Sequence, residues 1–248
     1  AGTVNIAVAL ETASPRLQKV VRKFLNLEKF QENVQYMCEK HPDVILDLFT
    51  MHGLPSETKE EAMMTLNYLK GFKWVDFPHV NILKIYPGSD MEKLAVENGV
   101  LRESIARSAN LAYHELPDTL PFEKQFTVRY QADFLNEYVL NKERLLHVIP
   151  RQMKLMTEAE MVLKYNSFFP VDIRSFKDFM SYTGLSEEEL GGLNFFDDTP
   201  MIVPQLDKVL KKHFPVAKPA LRALRILLLD LSQFFTGAAD MLYEVVAP

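Results

Sequence analysis

Three short segments hold most of the side chains in this sequence that are of a type and placement to do chemistry. Glu11 closes an apolar run over residues 3–10, and Ser14-Pro15 follows it. A carboxylate at such a strand end accepts hydrogen bonds from a ligand amine or a ribose hydroxyl, or pairs with a nearby lysine or helix N-terminus. Ser14 reads first as a helix cap, with Pro15 in the first helical turn. His52 ends a second apolar run and opens the loop Gly53-Leu54-Pro55-Ser56-Glu57-Thr58. An imidazole there is a candidate base or ligand contact, whereas Glu57 is placed to cap the helix that follows. Tyr86-Pro87-Gly88-Ser89 turns the chain after a third run, and its glycine lets backbone approach a ligand closely. Glu11 and His52 together would make an acid–base pair for a hydrolase or lyase.

The remaining chemistry-bearing residues narrow the classes. His41, His79, His114, His147 and His213 have no metal-ligand spacing with one another or with Cys38. Cys38 is the single cysteine in 248 residues. That count excludes a disulfide framework and an all-cysteine metal or cluster site within this chain. A composition of 48% hydrophobic and 25% charged residues is that of an ordinary globular domain. A net charge of −5 supplies no basic field for nucleic acid. The most apolar late stretch, residues 221–235, carries Arg222, Arg225 and Asp230 and reads as a buried helix, not a membrane span. A cytoplasmic protein is expected.

The elements that position these residues alternate over the first part of the sequence. Strands are expected at 3–10, 43–51 and 80–86, the second nearly continuous in apolar residues, as buried parallel strands are. Helices are expected at 15–24, 27–41, 59–69 and 91–98, from apolar residues at i, i+3, i+4 and i+7. Strand–helix alternation implies parallel order through right-handed crossovers, with a ligand rim at the carboxyl ends of the strands. After residue 112 helices dominate, at 122–148, 151–165, 175–182, 205–213 and 219–235, with a further capped start at Ser186-Glu187-Glu188-Glu189.

Taken together, the three loops resemble a known family. Val8-Ala9-Leu10-Glu11-Thr12-Ala13-Ser14-Pro15, followed by Lys23 and Asn26, resembles the fourth-strand segment of radical S-adenosylmethionine (SAM) enzymes, of pattern GvEsgs…iK.n. Met51-His52-Gly53-Leu54-Pro55-Ser56-Glu57-Thr58 resembles their fifth-strand GlPgEt segment, and Ile85-Tyr86-Pro87-Gly88-Ser89 their sixth-strand yPGT turn. Tyr113-His114-Glu115-Leu116-Pro117 and Arg129-Tyr130-Gln131 are similar to the C-terminal extension of the cobalamin-dependent members, the magnesium-protoporphyrin IX monomethyl ester oxidative cyclase-like Fe-S oxidoreductases. Ala9 and Ser56 stand where the usual pattern has glycine, and the CxxxCxxC motif that holds the family's four-iron four-sulfur cluster has no counterpart here.

The resemblance implies an α/β fold: the second half, three strand–helix units, of a partial TIM barrel over residues 1–112, then a mostly α-helical domain over 113–248. It implies SAM contacts at Glu11, Ser14, Met51, Ile85 and Tyr86, with His52 and Tyr86 facing substrate. The full-length protein would use SAM, the cluster and, in this group, cobalamin; this chain would be a fragment, catalytically inactive alone. Its partners would be the missing N-terminal half and a small-molecule substrate, and its open first strand would be covered by a neighbouring chain or by the helical extension, a route to oligomers. The alternative from the residues alone is a non-catalytic nucleotide- or protein-binding α/β module.

Overall fold

A computed structural model describes residues 5–112 and 115–196. Strands β1 (Asn5–Glu11), β2 (Ile45–His52) and β3 (Phe77–Ile82) form an open parallel sheet in the order β1-β2-β3. Helices α1 (Pro15–Val20) and α2 (Leu27–Lys40) cross from β1 to β2, and α3 (Lys59–Lys70) from β2 to β3. After β3 come α4 (Asp90–Glu97) and α5 (Arg102–Ser108). Then α6 (Lys124–Asp133) runs directly into a π-helical segment, Phe134–Val139, followed by α7 (Lys142–Leu155), α8 (Glu158–Asn166) and α9 (Phe176–Thr183).

Local sequence sets these boundaries. Ser14 caps α1 with Pro15 just inside it, and Asn26 caps α2. Thr58 and Glu61 form a reciprocal capping box on α3, as do Thr157 and Glu160 on α8. The box on α8 and the Asn141 cap on α7 explain two departures from expectation. The single helix expected over 122–148 is interrupted at Leu140-Asn141, and the one over 151–165 at Met156-Thr157. Ser186 and Glu189 make the expected cap bonds, Ser186 N–H to Glu189 Oε2 at 3.0 Å and Glu189 N–H to Ser186 Oγ at 3.2 Å. Gly191 and Gly192, at φ 74° and 99°, then turn the chain away after one turn. The helices expected at 205–213 and 219–235 lie outside the described residues.

The third strand corrects the sequence reading. It starts at Phe77, not Val80, and its ladder ends near Leu83, whose N–H donates to the His52 carbonyl at 2.9 Å. Pro78 lies within it, on an edge strand of the sheet among the described residues, where a missing N–H is tolerated. Ile85 and Tyr86 therefore lie beyond the strand, in the turn before α4.

The strand period of two divides the sheet into two faces. Ile6, Val8, Leu10, Leu46 and Leu48 pack with α2 and α3, and Tyr130, Phe134 and Tyr138 close the same cluster from α6 and the π segment. On the other face, Ile45 and Phe77 anchor α7–α9. There Lys164 of α8 reaches Asp47 at 2.9 Å, Asp47 also meets His79 Nε2 at 3.3 Å, and Phe168 stacks on His79. Asp76, buried just before β3, accepts from the Leu46 N–H at 2.9 Å and pairs with Arg151 of α7. Arg144 donates to the Val75 and Asp76 carbonyls. The described residues up to 196 group as one compact unit, and the division expected at residue 112 falls between α5 and α6 within it. Among the described residues β1 pairs on one edge only, and Asn5 and Ala7 are exposed. No described helix is long and apolar enough to cross a membrane.

Candidate functional site

The carboxyl ends of the three strands carry the loops singled out from the sequence. Glu11 ends β1 at φ 64°, after a register irregularity between Ala9 and Glu11. A left-handed backbone at a residue with a Cβ is uncommon and costs about 1–3 kcal/mol, so surrounding contacts must hold it. Lys23 does part of this: its ammonium lies 3.4 Å from the Glu11 carboxylate and 3.3 Å from the Ala9 carbonyl. Gln18 adds donors to the Leu10 and Thr12 carbonyls.

The first two loops are bound to each other. Ser14 accepts the Leu17 N–H as the cap of α1, and its hydroxyl donates to Glu61 Oε1 at 2.6 Å. Arg16 donates to both oxygens of Glu61, at 2.9 and 2.6 Å, and to the Ser56 carbonyl at 2.7 Å. Ser56 is a second non-glycine residue in the left-handed region, at φ 68°. The Arg16 guanidinium holds the Glu61 carboxyl down to about 2. Thr65 of α3 bonds both the Thr12 hydroxyl and the Ala13 N–H. Arg22, following α1, pairs with Asp90 at the start of α4, 3.6 Å away.

The expected site residues separate by face. Met51 is half-buried on the sheet face that carries Phe49 and Asn81. His52, one residue on, turns to the opposite side and is 0% exposed. Its ring stacks on Tyr130 of α6 with centroids 4.1 Å apart, lies 4.9 Å from Phe122, and bonds through Nε2 to the Thr127 hydroxyl at 3.0 Å. Burial pushes the imidazole down to about 4. Glu11 and His52 keep separate partners and form no acid–base pair. Ile85 is buried with Ala95 and Ile105, while Tyr86 is 60% exposed.

Glu57 and Tyr130 are the residues that sequence reasoning undervalued. Glu57 does not cap α3, whose cap is Thr58. Its carboxyl folds back, and Oε2 accepts the N–H groups of Gly53 and Leu54 at 2.6 and 3.0 Å. It is 3% exposed, and burial lifts it from 4.5 to about 7 against the pull of those two bonds. Gly53, at φ 87°, lies so close to Leu120 that a Cβ would stand 2.6 Å from its Cδ2. The spacing of Tyr130 with Phe126 and Phe134 reads as core packing, which hides the fact that its hydroxyl is buried without a hydrogen-bond partner on a ring stacked against His52.

Cys38 is buried on α2, and desolvation raises its thiol to about 12. Among the described residues no group of three or more His, Cys, Asp or Glu side chains is arranged to hold a metal ion. Comparison with protein-family models and with curated proteins returns no match for this sequence.

Proposed function

We propose that this chain supplies part of the SAM- and substrate-binding rim of a radical SAM enzyme, as the second half of a partial TIM barrel. The observation that supports this reading is the placement of all three motif-bearing loops at one end of a sequentially ordered parallel sheet. Glu11 and Ser56, both held in left-handed backbone at that end, add to it, because strained residues gather at binding sites.

The chain's own residues do not fit the four-iron cluster. Its one cysteine is buried among apolar side chains as a protonated thiol, so cluster ligands have to come from outside these 248 residues. For SAM the rim fits better. Glu11 offers a carboxylate 14% exposed in its side chain, whereas the Ser14 hydroxyl is buried and held by Glu61 and the Leu17 N–H, so a contact with SAM would have to displace Glu61. Met51 supplies a half-buried apolar surface, and backbone at Ile85 and Tyr86 a hydrogen-bonding edge. Bound SAM, once reductively cleaved, would supply the radical that takes hydrogen from substrate. The protein residues position and desolvate it: Arg16 and Glu61 lock the first two loops together, so the rim is preorganised. Tyr86 is free to meet substrate, and His52 would do so only with α6 displaced. On this reading the protein works in the cytoplasm.

The test is SAM binding by the protein carrying its complete reading frame, followed by calorimetry. Glu11→Ala is expected to weaken binding at least tenfold, while Lys70→Ala, which removes a surface pair with Glu137 away from the rim, leaves it unchanged. Equal affinity of the Glu11→Ala protein and the parent refutes the assignment. A non-catalytic binding module, the second reading, is favoured by the burial of His52 beneath α6; it predicts no SAM binding by either form.

A further inference from the structure

Five buried side-chain atoms among the described residues lack a hydrogen-bond partner, and three of them belong to one cluster: His52 Nδ1, Glu57 Oε1 and the Tyr130 hydroxyl. The other two, Arg144 Nε and Arg151 Nε, sit in guanidinium groups whose remaining nitrogens are bonded. The three side chains of the cluster are 0%, 3% and 1% exposed. They are also neighbours. The His52 and Tyr130 rings stack at 4.1 Å, 19° from parallel, and the Glu57 carboxyl is fixed on the backbone of the two residues that follow His52.

Buried polar atoms without partners are rare, because each costs about 1–3 kcal/mol of uncompensated desolvation. Three in one cluster are a strong sign of a bound molecule. Internal waters characteristically make about three hydrogen bonds to such groups. The complement here suits water: Tyr130 donates, while the Glu57 oxygen and the His52 nitrogen each accept or donate according to protonation and tautomer. A larger ligand is disfavoured by the apolar wall around the cluster, made by Phe122, Phe126 and Leu120.

We propose that His52, Glu57 and Tyr130 enclose an internal water between the end of β2 and α6, forming a hydrated site apart from the SAM contacts of the proposed function. Thr127 fixes the far nitrogen of the imidazole and so points Nδ1 at the water. The Gly53 and Leu54 amides fix the far oxygen of Glu57 in the same way. The water completes the attachment of α6 to the sheet, and it gives the proton on Glu57 a hydrogen-bonded neighbour.

Tyr130→Phe in the full 248-residue chain tests this by sign. The ring and its stacking on His52 remain; only the hydroxyl goes. Around a bound water, the substitution removes a hydrogen bond, and the unfolding equilibrium in urea shifts about fivefold towards the unfolded state. At a dry cluster it removes an unsatisfied group, and the protein is unchanged or more stable; either result overturns the proposal. Water oxygen-17 relaxation dispersion supplies the second readout. One long-lived water present in the parent is expected to be absent from the Tyr130→Phe protein, and equal numbers in the two proteins overturn the site even if stability falls.

Discussion

Replacing Glu57 with Gln should change the pH dependence of stability in a direction set by two opposed groups. Burial raises Glu57 from 4.5 to about 7. The folded state therefore holds a proton that the unfolded state has released between those values, so stability is highest below pH 4.5 and falls as pH rises to 7. At roughly 1.4 kcal/mol per pH unit, that loss is about 3 kcal/mol. His52 runs the other way. Its folded value drops from 6.5 to about 4, so the unfolded state binds the extra proton, and stability rises by a similar amount between pH 4 and 6.5. The two slopes overlap and oppose each other in the parent between pH 4.5 and 6.5, where His147, also lowered by burial, adds to the rise and cancels in the difference between the two proteins. Glu57→Gln removes the falling slope and keeps a side chain that can accept the Gly53 and Leu54 N–H groups. Urea unfolding at half-unit pH steps should then show the variant gaining about 3 kcal/mol relative to the parent from pH 4.5 to 7. Asp47 and Glu61, whose values are lowered, act below this window and cancel in the difference. Parallel curves for the two proteins would show that Glu57 holds no proton at neutral pH, and the account of this cluster as a neutral acid would fail.

Other substitutions probe the supports of the same region. Gly53→Ala should lower stability by about 2 kcal/mol, from the left-handed backbone and the pressure on Leu120, seen as a fall in the thermal midpoint; an unchanged midpoint would mean that the loop relaxes freely. Arg151→Met leaves the Asp76 carboxylate, 0% exposed, without its ion-pair partner and should cost about 3–5 kcal/mol, part of which Asp76→Asn in the same chain restores. A double variant no more stable than Arg151→Met alone would show that the charge is not what matters. The Cys38 thiol should resist aromatic disulfide reagents at pH 8 until the chain unfolds, and rapid labelling of the native protein would contradict its burial.

Periodicity and caps made the first half of this fold legible. The parallel order, β2 and the helices around it were readable because apolar runs and Ser14-Pro15 are local signals, whereas the Thr58 box, equally local, was passed over for Glu57. β3 was placed three residues late, on the apolar residues Ile82, Leu83 and Ile85, and Pro78 is harmless inside it only because of the strand's edge position, which local sequence does not reveal. The continuous helix over 122–148 failed for a related reason. The aromatic spacing from Phe126 to Tyr138 persists through the π-helical segment, and the Asn141 cap interrupts a pattern whose apolar residues continue on both sides. The rim loops were found from their motifs, but their coupling through Arg16, Glu61 and Ser56 joins residues 40 to 45 positions apart. Contacts at that separation leave no periodic trace.

The hardest feature to read was the division at Met51-His52. The two residues sit side by side in one motif, and a motif invites the assumption of one site. Strand geometry forbids it: consecutive side chains leave a strand on opposite faces. Met51 stays with the face that holds Asn81 and is half-buried, whereas His52 is driven under α6 among aromatic rings. The carboxyl end of β2 is therefore shared between two environments. One is the half-buried face that holds Met51. The other is closed and holds His52, Glu57 and Tyr130. The Glu57 carboxyl lies in the closed cluster, while its bonds to Gly53 and Leu54 set the path of the loop that Arg16 ties to the rim.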